Sequence, residues 1–193
     1  MDNPRISIAI PFYAGMKNAQ FFMDRCLASI RSQTFQDFDI VITDTGKMAE
    51  NTNNAMRQCT GELIKVLYMD DYFAHKNALK DIVDNFKDED DWMITGCDNN
   101  PHPRWTDDIE TGNNKLGSPS CLTFRNSKKL YFDEKLSWVL DCDLYKRWYE
   151  QSGKPKILSG VNINIGIGDH QHTNILSNKE KLLEHEYLKQ KYA

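Results

Sequence analysis

The sequence predicts an α/β fold, a mostly parallel central sheet flanked by helices, in a single compact domain spanning residues 1–193. Two observations carry this. Across the first hundred residues, short apolar runs rich in β-branched residues alternate with segments whose apolar positions recur at helical spacing, the pattern of parallel strands joined by covering helices. The chain is also the right size: 193 residues, 40% of them hydrophobic and 27% charged, make one ordinary core.

Taken in order, "RISIAIPFY" (5–13) reads as a central strand closed by Pro11, which lacks a backbone donor. "KNAQFFMDRCLASIRSQ" follows as a helix, with Phe21, Phe22, Cys26, Leu27 and Ile30 on one side. "FDIVITDTG" is a second strand ended by Asp44 and Gly46, and residues 51–59 form a helix stopped by Gly61. "LIKVLYM" (63–69) is a third strand, "HKNALKDIVDNFKDED" an amphipathic helix with a charged tail, and "DWMITGC" a fourth strand.

Beyond residue 100 the pattern loosens. "NNPHPRWTDDIETGNNKLGSPS" is too long and too rich in Pro, Gly, Asn and Asp for a plain connector, which points to a functional loop or lid. "SCLTFR" suits a strand. "LDCDLYKRWYEQSGKP" is a helix with acidic residues in its first turn and a Gly-Lys-Pro stop. "KILSGVNINIGIG" gives one or two late strands, and "NKEKLLEHEYLKQKY" a closing helix.

Charge and cysteine content narrow the function classes. A net charge of −4 offers no basic field for nucleic acid or anionic lipid. Five cysteines without a CxxC pair suggest neither a disulfide framework nor a zinc site, and so a reducing compartment. No signal-like N-terminus and no membrane-length apolar run is present, so a soluble, cytoplasmic protein is expected.

In parallel sheets ligands bind outside the carboxyl ends of the strands. That geometry would bring Phe12, Tyr13, Asp44, Asp70, Asp71 and Asp98 to one rim. The pair Asp70–Asp71 ends the apolar run "VLYM". Two ionised carboxylates are costly to bury, so they should face water, a cation or a partner. A carboxylate pair facing a crevice suits magnesium or manganese carrying a phosphate substrate, while the same residues would equally cap the next turn or helix.

Four stretches resemble the family 2 glycosyltransferases, which share the GT-A fold: "ISIAIPFY", "CLASIRSQ", "FDIVITDTG" and "NNAMRQCTGELIKVLYMDD". The resemblance implies a nucleotide-binding half over residues 1–100 and an acceptor-binding half with the C-terminal helix over 101–193. It implies that Pro11, Tyr13 and Asp44 hold the base and ribose of a nucleoside diphosphate sugar, and that Asp70, with Asp71 beside it, binds the diphosphate through a divalent metal, Mn2+ or Mg2+. Tyr68 stands where the family's first motif aspartate is usual, Thr45 replaces the second aspartate of its Asp-Asp-Gly-Ser, and Thr52 takes the place of a frequent basic residue.

Downstream, "FDEKLSWVLDCDLYKR" resembles the family's acceptor region, with Asp141 at the aspartate of its Glu-Asp motif and Leu140 at the glutamate. The resemblance implies an inverting transfer in which Asp141 is the general base; by themselves, Asp141 and Asp143 would simply favour the helix dipole. In "GIGDHQHTN", His172, or alternatively His170, would be a further metal ligand. Arg104, Trp105 and Asp98 are the expected substrate contacts, Trp105 as the tryptophan best placed to stack on a sugar, with Trp138 and Trp148 the others. The acceptor would be a glycan, a lipid-linked sugar or a protein. A nucleotidyltransferase and a non-catalytic sugar-nucleotide or carbohydrate binding module are the competing readings.

Overall fold

The computed structural model describes residues 3–169 and 171–193, and the side chain of residue 172 is outside the description. Seven strands form one sheet: β1 (Ile6–Pro11), β2 (Phe38–Thr43), β3 (Leu63–Val66), β4 (Tyr72–Phe73), β5 (Trp92–Cys97), β6 (Leu122–Arg125) and β7 (Lys156–Asn164). Their spatial order is β2-β1-β3-β6-β5-β7-β4. β1 pairs parallel with β2 and β3, and β5 with β7, whereas β6 runs antiparallel to both β3 and β5, and β4 antiparallel to β7. The mostly parallel sheet expected from the sequence is present, with β6 and β4 reversed.

β1 and β5 are buried along their whole length, which is why they read as continuous apolar runs. β2 is an outer strand, and its Ile42 is exposed. Helices α1 (Ala19–Arg31), α2 (Met48–Gln58), α3 (Ala78–Asn85), α4 (Leu140–Ser152), α5 (His172–Ile175) and α6 (Asn178–Lys191) complete the fold. α4 ends where expected, at Gly153, whose φ of 72° is one that glycine tolerates without a Cβ penalty.

α3 stops at Asn85, five residues short of the end of the expected helix at Asp90, so it leaves out the charged tail. Asp90 accepts from the backbone N–H of Lys87 (2.8 Å), and the Arg125 guanidinium donates to the carbonyls of Lys87, Asp88 and Asp90. The acidic run is therefore a clamped turn, because an aspartate bonding its own backbone competes with helix continuation.

Asp143 lies on the core side of α4, fully buried. It accepts from Arg147 (2.7 and 2.9 Å), from Lys191 (2.7 Å) and from the Tyr192 hydroxyl (2.7 Å), which ties α4 to the end of α6. Asp143→Ala leaves Arg147 and Lys191 without their shared partner. It is expected to lower the unfolding free energy by about 3–5 kcal/mol in chemical denaturation.

Candidate active site

Because most strands run one way, their carboxyl ends share an edge, and reversing β6 and β4 brings the amino ends of those two strands to it as well. A cavity of about 510 Å3 opens there, a size suited to a nucleotide-sized ligand. Pro11 and Tyr13 from the end of β1, Tyr68 to Asp71 from the β3–β4 segment, and Leu140 and Asp141 from the start of α4 line it.

Tyr13 is 62% exposed, so its ring is available to a planar ligand. Asn51, on α2, fixes the neighbouring loop: its Nδ2 donates to the Phe12 carbonyl (2.8 Å) and its Oδ1 accepts from the Thr45 N–H (3.2 Å). Asp44 follows β2 on the exposed rim but does not line the cavity. Lys47 and Met48, at the start of α2, do line it.

The chain leaves the sheet after Val66 and runs along its edge, which places Asp70 and Asp71 across the strand ends. The two carboxylates take different roles. Asp71 is buried, and its Oδ1 accepts from the N–H of Gly166 (2.7 Å). Burial pushes the Asp71 carboxyl well above the ordinary carboxylate range and the Asp70 charge adds to this, against the Ser120 hydroxyl and the Gly166 N–H, which pull it down. Asp70 is only half-buried, and its carbonyl accepts from Arg25 (2.5 Å), whose guanidinium stacks on Tyr72 at 4.4 Å. Gly166 fits because a Cβ there would lie 2.3 Å from the Asp70 carbonyl oxygen.

Behind this pair Lys65 is fully buried in β3 and donates to the Ser120 carbonyl. Burial lowers its pKa to about 8, opposed by Cys121 and Asp71. The Ser120 hydroxyl accepts from the Tyr68 N–H (2.9 Å), so the turn before β6 holds the turn that carries Asp70. The Tyr68 hydroxyl is itself buried; where the resembled motif has a carboxylate, this chain has a packed ring.

At the start of α4 Asp141 accepts from Asn114 Nδ2 (2.7 Å) and from the N–H of Cys142 (2.8 Å). Burial raises its pKa, and these hydrogen bonds oppose the shift. A carboxylate so placed is oriented, and more basic than one in water. The segment before it is anchored by Glu184 of α6, which accepts from the backbone N–H groups of Ser137 (2.9 Å), Trp138 (2.8 Å) and Val139 (3.1 Å).

Three expected substrate contacts lie elsewhere. Trp105 stacks on Tyr149 at 4.5 Å, meets Trp92 edge-on and donates to Asp107, so apolar packing against α4 draws it away from the cavity. Arg104 is exposed on the same loop, pinned through its N–H to the Lys115 carbonyl (3.0 Å), and does not line the cavity. Asp98 also stays off the lining; its Oδ1 accepts from the N–H of Ile165 (3.2 Å), and Ile165 is the residue that faces the space. The expectation on His170 falls outside the described residues, and that on His172 concerns a side chain that is not described. Gln171 and Thr173 beside them line the cavity.

Among the described residues no group of three or more His, Cys, Asp or Glu side chains could by itself hold a metal. Of the lining carboxylates, Asp70 is one that would share a magnesium- or manganese-type ion with a substrate's phosphates, since such ions keep open positions for phosphate oxygens.

No family profile and no curated protein matches the sequence. Solved structures do match the fold. S. aureus TarS residues 1–349 in complex with UDP aligns with a TM-score of 0.66 at 18% identity, over 86% of this chain and 61% of that one. The complex of the same protein with UDP-GlcNAc gives 0.64 at 16% identity, over 90% and 61%. The mannosyltransferase PcManGT from Pyrobaculum calidifontis, in complex with GDP-Man and Mn2+, gives 0.66 at 11% identity, over 100% and 66%. This chain shares the fold of these glycosyltransferases. It spans less than two thirds of the length of each.

Proposed function

We propose that the chain transfers a sugar from a nucleoside diphosphate sugar to an acceptor hydroxyl, with inversion and with a divalent cation. The observation that carries this reading is one cavity lined by two half-buried carboxylates from separate elements, Asp70 after β3 and the hydrogen-bonded Asp141 at the start of α4, in a fold whose solved structural neighbours hold UDP, UDP-GlcNAc or GDP-Man. Pro11 and Tyr13 would take the base and ribose, with Asp44 reaching from the rim. Asp70, backed by Asp71, would hold the cation, which when bound would neutralise charge on the departing diphosphate.

The remaining chemistry falls to this chain's own groups. Asp141 removes the proton from the acceptor hydroxyl as that oxygen forms its bond to the anomeric carbon and the bond to the diphosphate breaks on the opposite side. Asn114 keeps the Asp141 carboxylate turned toward the cavity. The walls position the two substrates and exclude water from between them.

A thermal-shift screen of uridine, guanosine, cytidine and thymidine diphosphate sugars, with and without manganese, tests the donor. At a ligand concentration about a hundred times Kd, a specific donor stabilises by about 2.7 kcal/mol and raises Tm measurably. At least one is expected to do so, more strongly with manganese. No shift with any of them contradicts the reading, and release of pyrophosphate from a nucleoside triphosphate would select nucleotidyl transfer instead. Leu140 in the cavity wall, where the resembled motif has glutamate, is the observation that favours a binding-only module. Donor binding without any nucleotide release would establish that reading.

A further inference from the structure

Trp138 stands on the same wall as Asp141, three residues earlier. It is half-buried and lines the cavity. The lysine of α6 at position 181 lies over its ring at 5.3 Å, and His185 meets it edge-on at 5.0 Å. Neither of these two lines the cavity, so the ring stands between them and the open space. The backbone beneath is fixed by Glu184, and Lys181 also donates to the carbonyl of Thr173 (2.7 Å), another residue that lines the cavity. α6 thus braces the ring and ties it to the segment that carries Thr173.

The other tryptophans are accounted for. Trp92 donates its N–H to Gly153 (3.0 Å), Trp105 donates to Asp107 (2.8 Å), and Trp148 is wholly buried in the aromatic core with its N–H sealed from solvent and without a partner among the described residues. Trp138 differs: among the described residues no acceptor meets its indole N–H, and that group is not sealed from solvent. A rigid aromatic surface with a spare N–H beside an oriented carboxylate is suited to a ligand with an apolar face and hydroxyls at its edge. A pyranose ring has that form: its axial C–H groups make an apolar face and its hydroxyls lie around the rim.

We propose that Trp138 is the stacking platform for the acceptor and that the acceptor is therefore a pyranoside, its ring on the indole and one hydroxyl presented to Asp141. This rests on the sugar-transfer reading for the role of Asp141. A linear polyol phosphate would gain little from the platform, because it has no flat apolar face to lay on it.

Saturation-transfer difference NMR with methyl glucopyranoside, methyl galactopyranoside and methyl N-acetylglucosaminide, and with glycerol phosphate for comparison, tests the proposal on the full chain without any donor. At least one glycoside is expected to receive saturation mainly at its ring C–H protons, and glycerol phosphate little. Trp138→Ala should weaken that glycoside's binding about fivefold, the loss expected for one aromatic contact, and Trp138→Phe should restore most of it. Melting temperatures of the variants show whether the fold is intact. No glycoside signal on the wild-type chain, equal signals on the wild type and Trp138→Ala, or a stronger signal from glycerol phosphate each overturns the proposal. Failure of the sugar-transfer reading would appear separately, as the absence of any nucleotide-sugar binding in the thermal screen.

Discussion

Asp141→Asn is expected to lower kcat by about 10²–10⁴-fold, the usual contribution of a positioned general base, while the donor still binds. The amide is nearly the same size and its oxygen can keep one of the two contacts, that with Asn114, at the loss of the one from the Cys142 N–H, so the wall should stay largely in place while the proton acceptor is lost. The same residue governs the pH profile. A base works in its ionised form, and burial raises the Asp141 pKa, so activity should fall as pH drops through a value above the ordinary aspartate range. A pH–rate series on the wild-type chain checks this. An acidic limb at the ordinary aspartate value, or normal turnover in the Asn variant, would remove Asp141 from the role.

Asp70→Asn is expected to act on the other substrate. It removes the carboxylate that would hold the cation, and charge stabilisation at a leaving diphosphate is worth several kcal/mol, about 10³-fold in rate. Unlike the Asp141 variant, it should also weaken manganese-dependent donor binding in calorimetry. The contrast between the two variants is informative, because general damage to the cavity would make them behave alike. Asp71→Asn would not serve the same purpose: that carboxyl is buried against Gly166 and Ser120, so its replacement disturbs the turn itself.

The edge that carries the site was legible because strand ends are marked in the sequence. Pro11, the Asp44–Gly46 turn and the Asp70–Asp71 pair each close an apolar run, and parallel strands bring such ends together. Strand direction was less legible. "SCLTFR" reads as a strand whichever way it runs, and only its antiparallel pairing with β3 and β5 brings Ser118 and Pro119 to the cavity. β4 has two residues, too few for any period to show.

The loop after β5 illustrates the same limit. Its length and composition announced a loop but not its course, and the stacking of Trp105 on Tyr149 takes it over α4. Trp138 was one of several tryptophans in the sequence; its place beside Asp141 depends on Glu184 and Lys181, more than forty residues later. α6 is polar on nearly every face, with Leu188 its one buried residue, so nothing in its pattern signals that it braces a cavity wall. Asp70 and Asp71 could not be told apart by neighbourhood either. Both line the cavity, but Asp71 is buried and secures the turn through the Gly166 N–H while Asp70 is only half-buried.

The most direct test of the account is anomalous scattering from manganese in crystals of the full chain grown with a nucleoside diphosphate. The account predicts a single strong peak in the cavity, bonded to an Asp70 carboxylate oxygen and to oxygens of both phosphates. A peak elsewhere, or a bound diphosphate lying away from Asp70, would contradict it.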